Sequence, residues 1–338
     1  MTRAVPVVNE DVPHFRQRRA KAFARLYPAA AQSYDDALYT ALGVTPARGL
    51  LHKALVDNLV QQALYDPLTR KLYVARGRAS RAAILQQLVI ALQDQRFGLG
   101  RLPALAGSRD ASLAATAAVG GYASLISRLP DARTSLTGTR LKRFLALENG
   151  FAATVGRRLA VNLRNLGGNN AVFGTLRRFP QTTEQIFHID KFLEREPVAR
   201  IVLPVAAAGL ELAGADTFGE LDVRALLAVF DVPRLAQAGE GWGGGRSAIY
   251  RAGPRMAALL ALDWDSEADA QQWAAAVQRY VEEAFAGGLG PAPCAATSCW
   301  NRGSHAVACE RVGSQTALVL GSDVDSSAQL ARAILGDA

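Results

Sequence analysis

Near residue 197 the apolar pattern of this 338-residue chain changes period. Before that point apolar residues recur three and four apart, the spacing of amphipathic helices. Residues 52–64 carry Leu55, Leu59, Val60 and Leu64 at that spacing, and a second helix is expected over 80–97, with Ser80 as its cap and Ile84, Leu85, Leu88, Ala91 and Leu92 as one buried stripe. Between them LYDPLTRKLYVARG reads as a short hairpin turning at Asp66-Pro67. Helical patterns continue over 111–127 and 140–166, and their many small residues permit close helix packing. Gly167-Gly168-Asn169-Asn170 is a turn signal, and Pro180 and Pro197 bracket QTTEQIFHIDKFLERE.

After residue 197 the apolar runs are short and β-like: ARIVLP, AALLALDW, HAVACERV and TALVLG. AALLALDW leads into a helix capped by Asp265 or Ser266, with Trp273, Val277, Tyr280 and Val281 on one face. ERVGSQT reads as a hairpin turn. The expected class is therefore α+β: an α-rich domain with a short hairpin over 1–197, then a smaller mixed domain over 198–338.

Composition narrows the function classes. Half the residues are hydrophobic and 20% are charged, which excludes a disordered or fibrous chain. The longest strongly apolar stretch, Ile201 to Leu210, contains Pro204, whereas a bilayer crossing needs roughly 20 apolar residues. No membrane span is expected. MTRAVPVVNEDVPHFRQRR lacks the apolar segment of a signal peptide, so the chain as written reads as cytoplasmic; a truncated or misassigned N-terminus would make it exported. Net charge is +8, carried by arginine, since only five residues are lysine. The densest cluster is Arg16, Arg18, Arg19, Lys21 and Arg25. With no aromatic stacking platform or nucleic-acid motif beside it, this reads as a solvated surface rather than a polyanion site.

Cys294, Cys299 and Cys309, with His305 between the last two, leave three readings open: a local Cys294–Cys299 disulfide, a loose zinc site, or plain thiols. A disulfide would argue for export. Gly239-Glu240-Gly241-Trp242-Gly243-Gly244 fits G-x-G-x-x-G but lacks a strand before it and a helix after it, so it reads as a turn. No phosphate-cradling P-loop and no G-x-S-x-G elbow occurs, and His14, His52, His188 and His305 include no i, i+4 pair.

Three segments in order resemble one family, the bacterial gluzincin-like zinc metallopeptidases common in actinobacteria. ALYDPLTRKLYVARG followed by RAAILQQLVIALQDQRF is similar to that family's F-Y-D-P-x-T-x-x-L-Y-V and H-E-L-x-H-A-L-Q-D-Q-x-F. FPQTTEQIFHIDKFLEREP resembles its P-x-S-T-E-Q-V-L-H-P-E-K-Y segment. DTFGELDVRALL, GWGGGRSAIYR and DWDSEADAQQW resemble its C-terminal pieces. The resemblance spans about residues 50 to 321 and implies a zincin-like N-terminal domain.

The resemblance also implies where the catalytic groups would stand, and there the chain departs from the pattern. Aligning Ala91 to Gln95 puts the first zinc histidine at Gln86, the catalytic glutamate at Gln87 and the second histidine at Ile90. The third ligand, a glutamate, aligns with Gly120. Zinc hydrolysis needs two imidazoles on one helical face, a carboxylate from another helix and a base beside the metal-bound water. Glutamine is a poor neutral ligand, isoleucine has no lone pair, and glycine has no side chain. The implied reading is a catalytically inactive metallopeptidase homologue with a binding or structural role, without metal or cofactor, whose partner is an unidentified protein or peptide. Asp94, Tyr122, Glu184 and His188 are candidate lining residues of the former cleft. Two alternatives are a non-zinc hydrolase with a relocated site at Glu184, His188 and Asp94, and a basic surface-binding module.

Overall fold

The computed structural model describes residues 3–57, 62–102, 108–128, 137–233, 235–285 and 288–336. Up to residue 102 the elements are β1 (Val7–Glu10), α1 (Val12–Leu26), α2 (Ala29–Ala41), α3 (Leu50–Asp57), β2 (Ala63–Asp66), β3 (Lys71–Ala75) and α4 (Arg81–Phe97). Helices α5 (Arg109–Ser127), α6 (Arg140–Phe151), α7 (Arg157–Arg177), α8 (Glu184–Phe187) and α9 (Ile189–Glu194) follow, with a π-helical turn, Ala152–Gly156, joining α6 to α7. Next come β4 (Ala206–Ala207), β5 (Leu210–Thr217), α10 (Glu220–Val229), α11 (Leu235–Gly239), β6 (Trp242–Ala252), β7 (Arg255–Trp264) and α12 (Glu267–Ala284). Last are β8 (Gly290–Pro291), β9 (Ser298–Arg302), β10 (His305–Val312), β11 (Gln315–Gly321) and α13 (Val324–Leu335). The class is α+β, helical in its N-terminal region and sheet-based in its C-terminal region.

The chain groups into two compact units. One comprises residues 1–29, 53–135 and 145–196; the other comprises 30–52, 136–144 and 197–338. Residues 30–52 and 136–144, read from sequence with the N-terminal domain, thus belong to the second unit. Their side chains supply the reason. Tyr39 donates to the buried Asp222 carboxylate at 3.3 Å, the Leu42 carbonyl accepts from Tyr280 at 2.9 Å, and Arg143 pairs with Asp231 at 2.5 Å.

In the first unit, β2 and β3 form the expected hairpin, and β1, not anticipated, adds to it in parallel with Val7 opposite Leu72. Helix α3 is shorter than the pattern over 52–64 suggested: Ala63 and Leu64 belong to β2, and 58–61 lie outside the described residues. Helix α5 packs on the π-turn and α7 through small residues. A Cβ on Gly121 would lie 2.2 Å from the Gly156 carbonyl carbon, so the two backbones are in direct contact. Gly167 and Gly168 adopt non-helical angles and kink α7 where the sequence signalled a turn.

The second unit is built on an antiparallel sheet in the order β4-β5-β6-β7-β11-β10-β9-β8. Leu259, Ala261, Ala317 and Val319 join Leu330 and Ala331 of α13 in one core. The alternate residues Leu260, Leu262, Val307 and Leu318 are buried as well. With both faces covered, β7 and β11 read as continuous apolar runs rather than alternating ones. Ser266 caps α12 by accepting from Asp269, and Trp273, Val277, Tyr280 and Val281 form its buried face as expected.

ARIVLP is not a strand. Pro197 and Pro204 flank and end it without donors, and Ala199 alone donates across, to Gly243. Conversely, β5 and β6 were missed. Of the turn read at 239–244 only Glu240 and Gly241 remain, Gly241 at φ +73°; Gly239 ends α11, and Trp242 to Gly244 already belong to β6. A Cβ at Gly245 would lie 2.2 Å from the Phe218 carbonyl oxygen, so close backbone approach explains glycine in this strand. Cys294 and Cys299 form a disulfide, and Cys309 is a buried free thiol whose pKa is pushed up to about 12, first by burial and then by Glu310.

Candidate functional site

Helix α4 carries Gln86, Gln87 and Ile90, three of the four positions where the resemblance would put catalytic groups, and its ends are fixed locally. Ser80 Oγ accepts from the Ala83 N–H at 3.1 Å, and Gly98 stops the helix in the left-handed region at φ 71°. Two faces of α4 are engaged. On the first, at i, i+4 and i+7, Gln86 Nε2 donates to Ser124 Oγ at 3.0 Å and Gln93 Nε2 donates to the Val119 carbonyl at 3.2 Å. Ile90, between them, packs against the cluster of Leu99, Val119 and Leu176.

On the second face Gln87 and Asp94 hold the hairpin. Gln87 Oε1 accepts from the backbone N–H of Tyr65 at 2.9 Å, an amide on the open side of the edge strand β2. Asp94 Oδ2 accepts from the Tyr65 hydroxyl at 2.7 Å, and Asp94 Oδ1 accepts from the Leu99 N–H at 2.7 Å. Burial, and then the bond to Asp94, raise the Tyr65 phenol well above its ordinary range, so it stays a donor.

The expected stripe on α4 holds in part: Ala91 is buried and Ile84 and Leu88 pack against the hairpin core of Ala63, Leu72 and Val74, but Leu85 and Leu92 do not belong to it. Gln87, Val89, Ala91 and Gln93 are the buried residues, while Leu85 and Leu92 are 39% and 45% exposed. A helix held between a hairpin and another helix buries two adjacent faces. Its glutamines enter because each finds a backbone or hydroxyl partner.

On α5, Gly120 faces the π-turn, where a Cβ would stand 3.0 Å from Ala152 Cβ. Tyr122 is buried with its ring edge-on to Phe173 at 5.6 Å. The α4–α5 packing therefore brings Gln86 and Ile90 to Ser124 and Val119, residues that flank Gly120 in sequence.

Glu184 and His188 belong to a different local arrangement. Thr183 anchors α8 by donating from its N–H and hydroxyl to the buried Asp110 Oδ1 at 3.0 and 2.6 Å. Glu184, also buried, pairs with Lys191 at 2.6 Å, and Lys191 reaches Glu196 at 3.1 Å. His188 is half-buried where α8 passes into α9; its N–H donates to the Glu184 carbonyl, and its ring lies 6.4 Å from that of Phe187. Sequence reasoning missed Lys191 and Asp110. Lys191 lies seven residues beyond Glu184 across a helix break, where no helical spacing rule links them.

Chemically, Gln86, Gln87, Ile90 and Gly120 offer two amides engaged in hydrogen bonds, one packed alkyl group and a bare backbone. None supplies a base or an anionic ligand. Residues 209–331 match a family described as a domain of unknown function, DUF8575, and none of the four positions falls within that stretch. Comparison with curated proteins found no match, and comparison with solved structures found none either.

Proposed function

We propose that this chain is a catalytically inactive relative of the gluzincin-like zinc metallopeptidases, retained for a binding or structural role. The observation that carries the reading is Gln87. At the position where the resemblance puts the catalytic base, its side chain accepts the Tyr65 N–H and so has a structural task. Ile90, at a ligand position, sits in an apolar cluster in place of an ion that would need charged partners.

The alternatives draw less support. Asp94 uses both carboxylate oxygens in hydrogen bonds and Glu184 is paired with Lys191, so neither is poised for a relocated hydrolase. Within the N-terminal basic cluster, Arg18 binds Glu10 and stacks on Tyr73, and Arg25 binds Asp66, which reduces the charge offered to a polyanion. The Cys294–Cys299 disulfide favours an oxidising compartment over the cytoplasm.

Metal analysis tests the reading. Protein purified without chelator is expected to carry far less than one zinc per chain. Gln86→His, Gln87→Glu, Ile90→His and Gly120→Glu together should create zinc affinity, with Ala152→Gly added because the new Cβ at position 120 would crowd Ala152. One tightly held zinc in the unaltered chain overturns the inactivity. A folded five-site variant that binds no zinc at micromolar concentration overturns the kinship.

A further inference from the structure

Within the first unit, a cavity of about 220 Å³ opens beside α7 and α9, and none of residues 86, 87, 90 and 120 lines it. We propose that it binds a small carboxylate with a short apolar tail. The proposal is independent of the inactive-peptidase reading.

Leu163, Phe179 and Phe192 give the cavity an apolar lining, and Gly174 leaves part of its wall without a side chain. The kink at Gly167–Gly168 divides the helix that lines it. Gln185 also lines the cavity, but its amide is occupied: Oε1 accepts from the Gln181 N–H at 2.9 Å, and Nε2 donates to the Glu196 carbonyl at 3.2 Å. It is wall rather than ligand.

Charge selects the occupant. Arg178 and Arg195 are exposed lining residues, and among the described residues no acidic residue lines the cavity and neither guanidinium has an ion-pair partner. Elsewhere in this unit Arg18 is paired with Glu10 and Arg25 with Asp66. Guanidinium is permanently charged and its forked donors fit a carboxylate. Arg195 holds a left-handed backbone, φ 59°, unusual for a side chain of its size, at the turn that ends α9.

Size selects the tail. At about 30 Å³ per water, the cavity equals roughly seven waters, which suits a phenyl or branched aliphatic group and excludes a long acyl chain. That chemistry occurs in free aryl or branched acids and in the C-terminal residue of a peptide.

Calorimetric titration of the full chain distinguishes them, using 3-phenylpropionate, N-acetyl-phenylalanine and N-acetyl-phenylalaninamide as probes. At least one acid is expected to bind, with the amide at least tenfold weaker. Preference for 3-phenylpropionate assigns the site to free acids, and preference for N-acetyl-phenylalanine assigns it to peptide C-termini; either supports the proposal. Gly174→Leu is the decisive variant. A Cβ there meets nothing within 4 Å, so the side chain should fill the cavity with the melting temperature preserved and binding lost. Arg178→Gln with Arg195→Gln should weaken the acid at least tenfold and leave the amide unchanged. Equal binding of acid and amide, undiminished binding by folded Gly174→Leu, or no binding of either acid at millimolar concentration overturns the proposal.

Discussion

Gln87 shows how one side chain ties a helix to a hairpin. Its amide oxygen accepts the N–H of Tyr65, an edge-strand donor that would otherwise be buried without a partner. Replacing Gln87 with Leu removes the acceptor and leaves that N–H unsatisfied, which should destabilise the protein by about 1–3 kcal/mol in urea unfolding. Leu92→Ala, on the exposed side of the same helix, removes no such bond and should cost less. Comparable losses for the two variants would mean that the hydrogen bond is not what holds the hairpin. At this scale the sequence was only partly legible. The residue types at 86, 87, 90 and 120 are readable letter by letter, but the tasks of Gln86, Gln87 and Asp94 depend on Ser124, Tyr65 and Leu99. Of these only Leu99 lies near its partner in sequence, and no local pattern specifies a contact across 22 or 38 residues.

Elements whose rules are local were the legible ones. Helix α4 with its Ser80 cap, α12 with its aromatic face, the β2–β3 hairpin and the turn between β10 and β11 all follow from spacing and capping chemistry. Elements specified by distant neighbours were not: β1 pairs with β3 across more than 60 residues, and the glycines of β6 read as a turn until Ala199 and Phe218 are seen against them. The α5 crossing was legible in kind, because small residues invite close approach, and the structure identifies the contact. Gly121→Ala would set a methyl 2.2 Å from the Gly156 carbonyl carbon, where only backbone movement relieves the clash. A loss of about 3 kcal/mol is expected by thermal or chemical unfolding. Gly174→Ala, on a helix with open space at that position, should instead be neutral or stabilising by up to about 1 kcal/mol. Equal effects from the two substitutions would refute the close crossing.

For the whole molecule, a boundary near 197 captures the change of pattern but not the membership of the units. The second unit recruits 30–52 and 136–144, and its hydrogen bonds to Tyr39, Leu42 and Arg143 come from those stretches. A fragment of residues 198–338 would therefore lack the partners of Asp222 and Tyr280. It is expected to show weak near-ultraviolet circular dichroism and a broad melt, while the full chain melts cooperatively. A fragment that melts as sharply as the full chain would show these segments to be dispensable. Composition cannot reveal such interleaving, because 30–52 looks like any other helical stretch. The hydrogen bond between Tyr280 and Leu42 also sets a schedule during translation, because its partners are 238 residues apart. At about 5–20 residues per second, Leu42 waits roughly 10–50 s after leaving the ribosome before its donor is synthesised. Over that interval the end of an early helix must wait without the neighbour that donates to it.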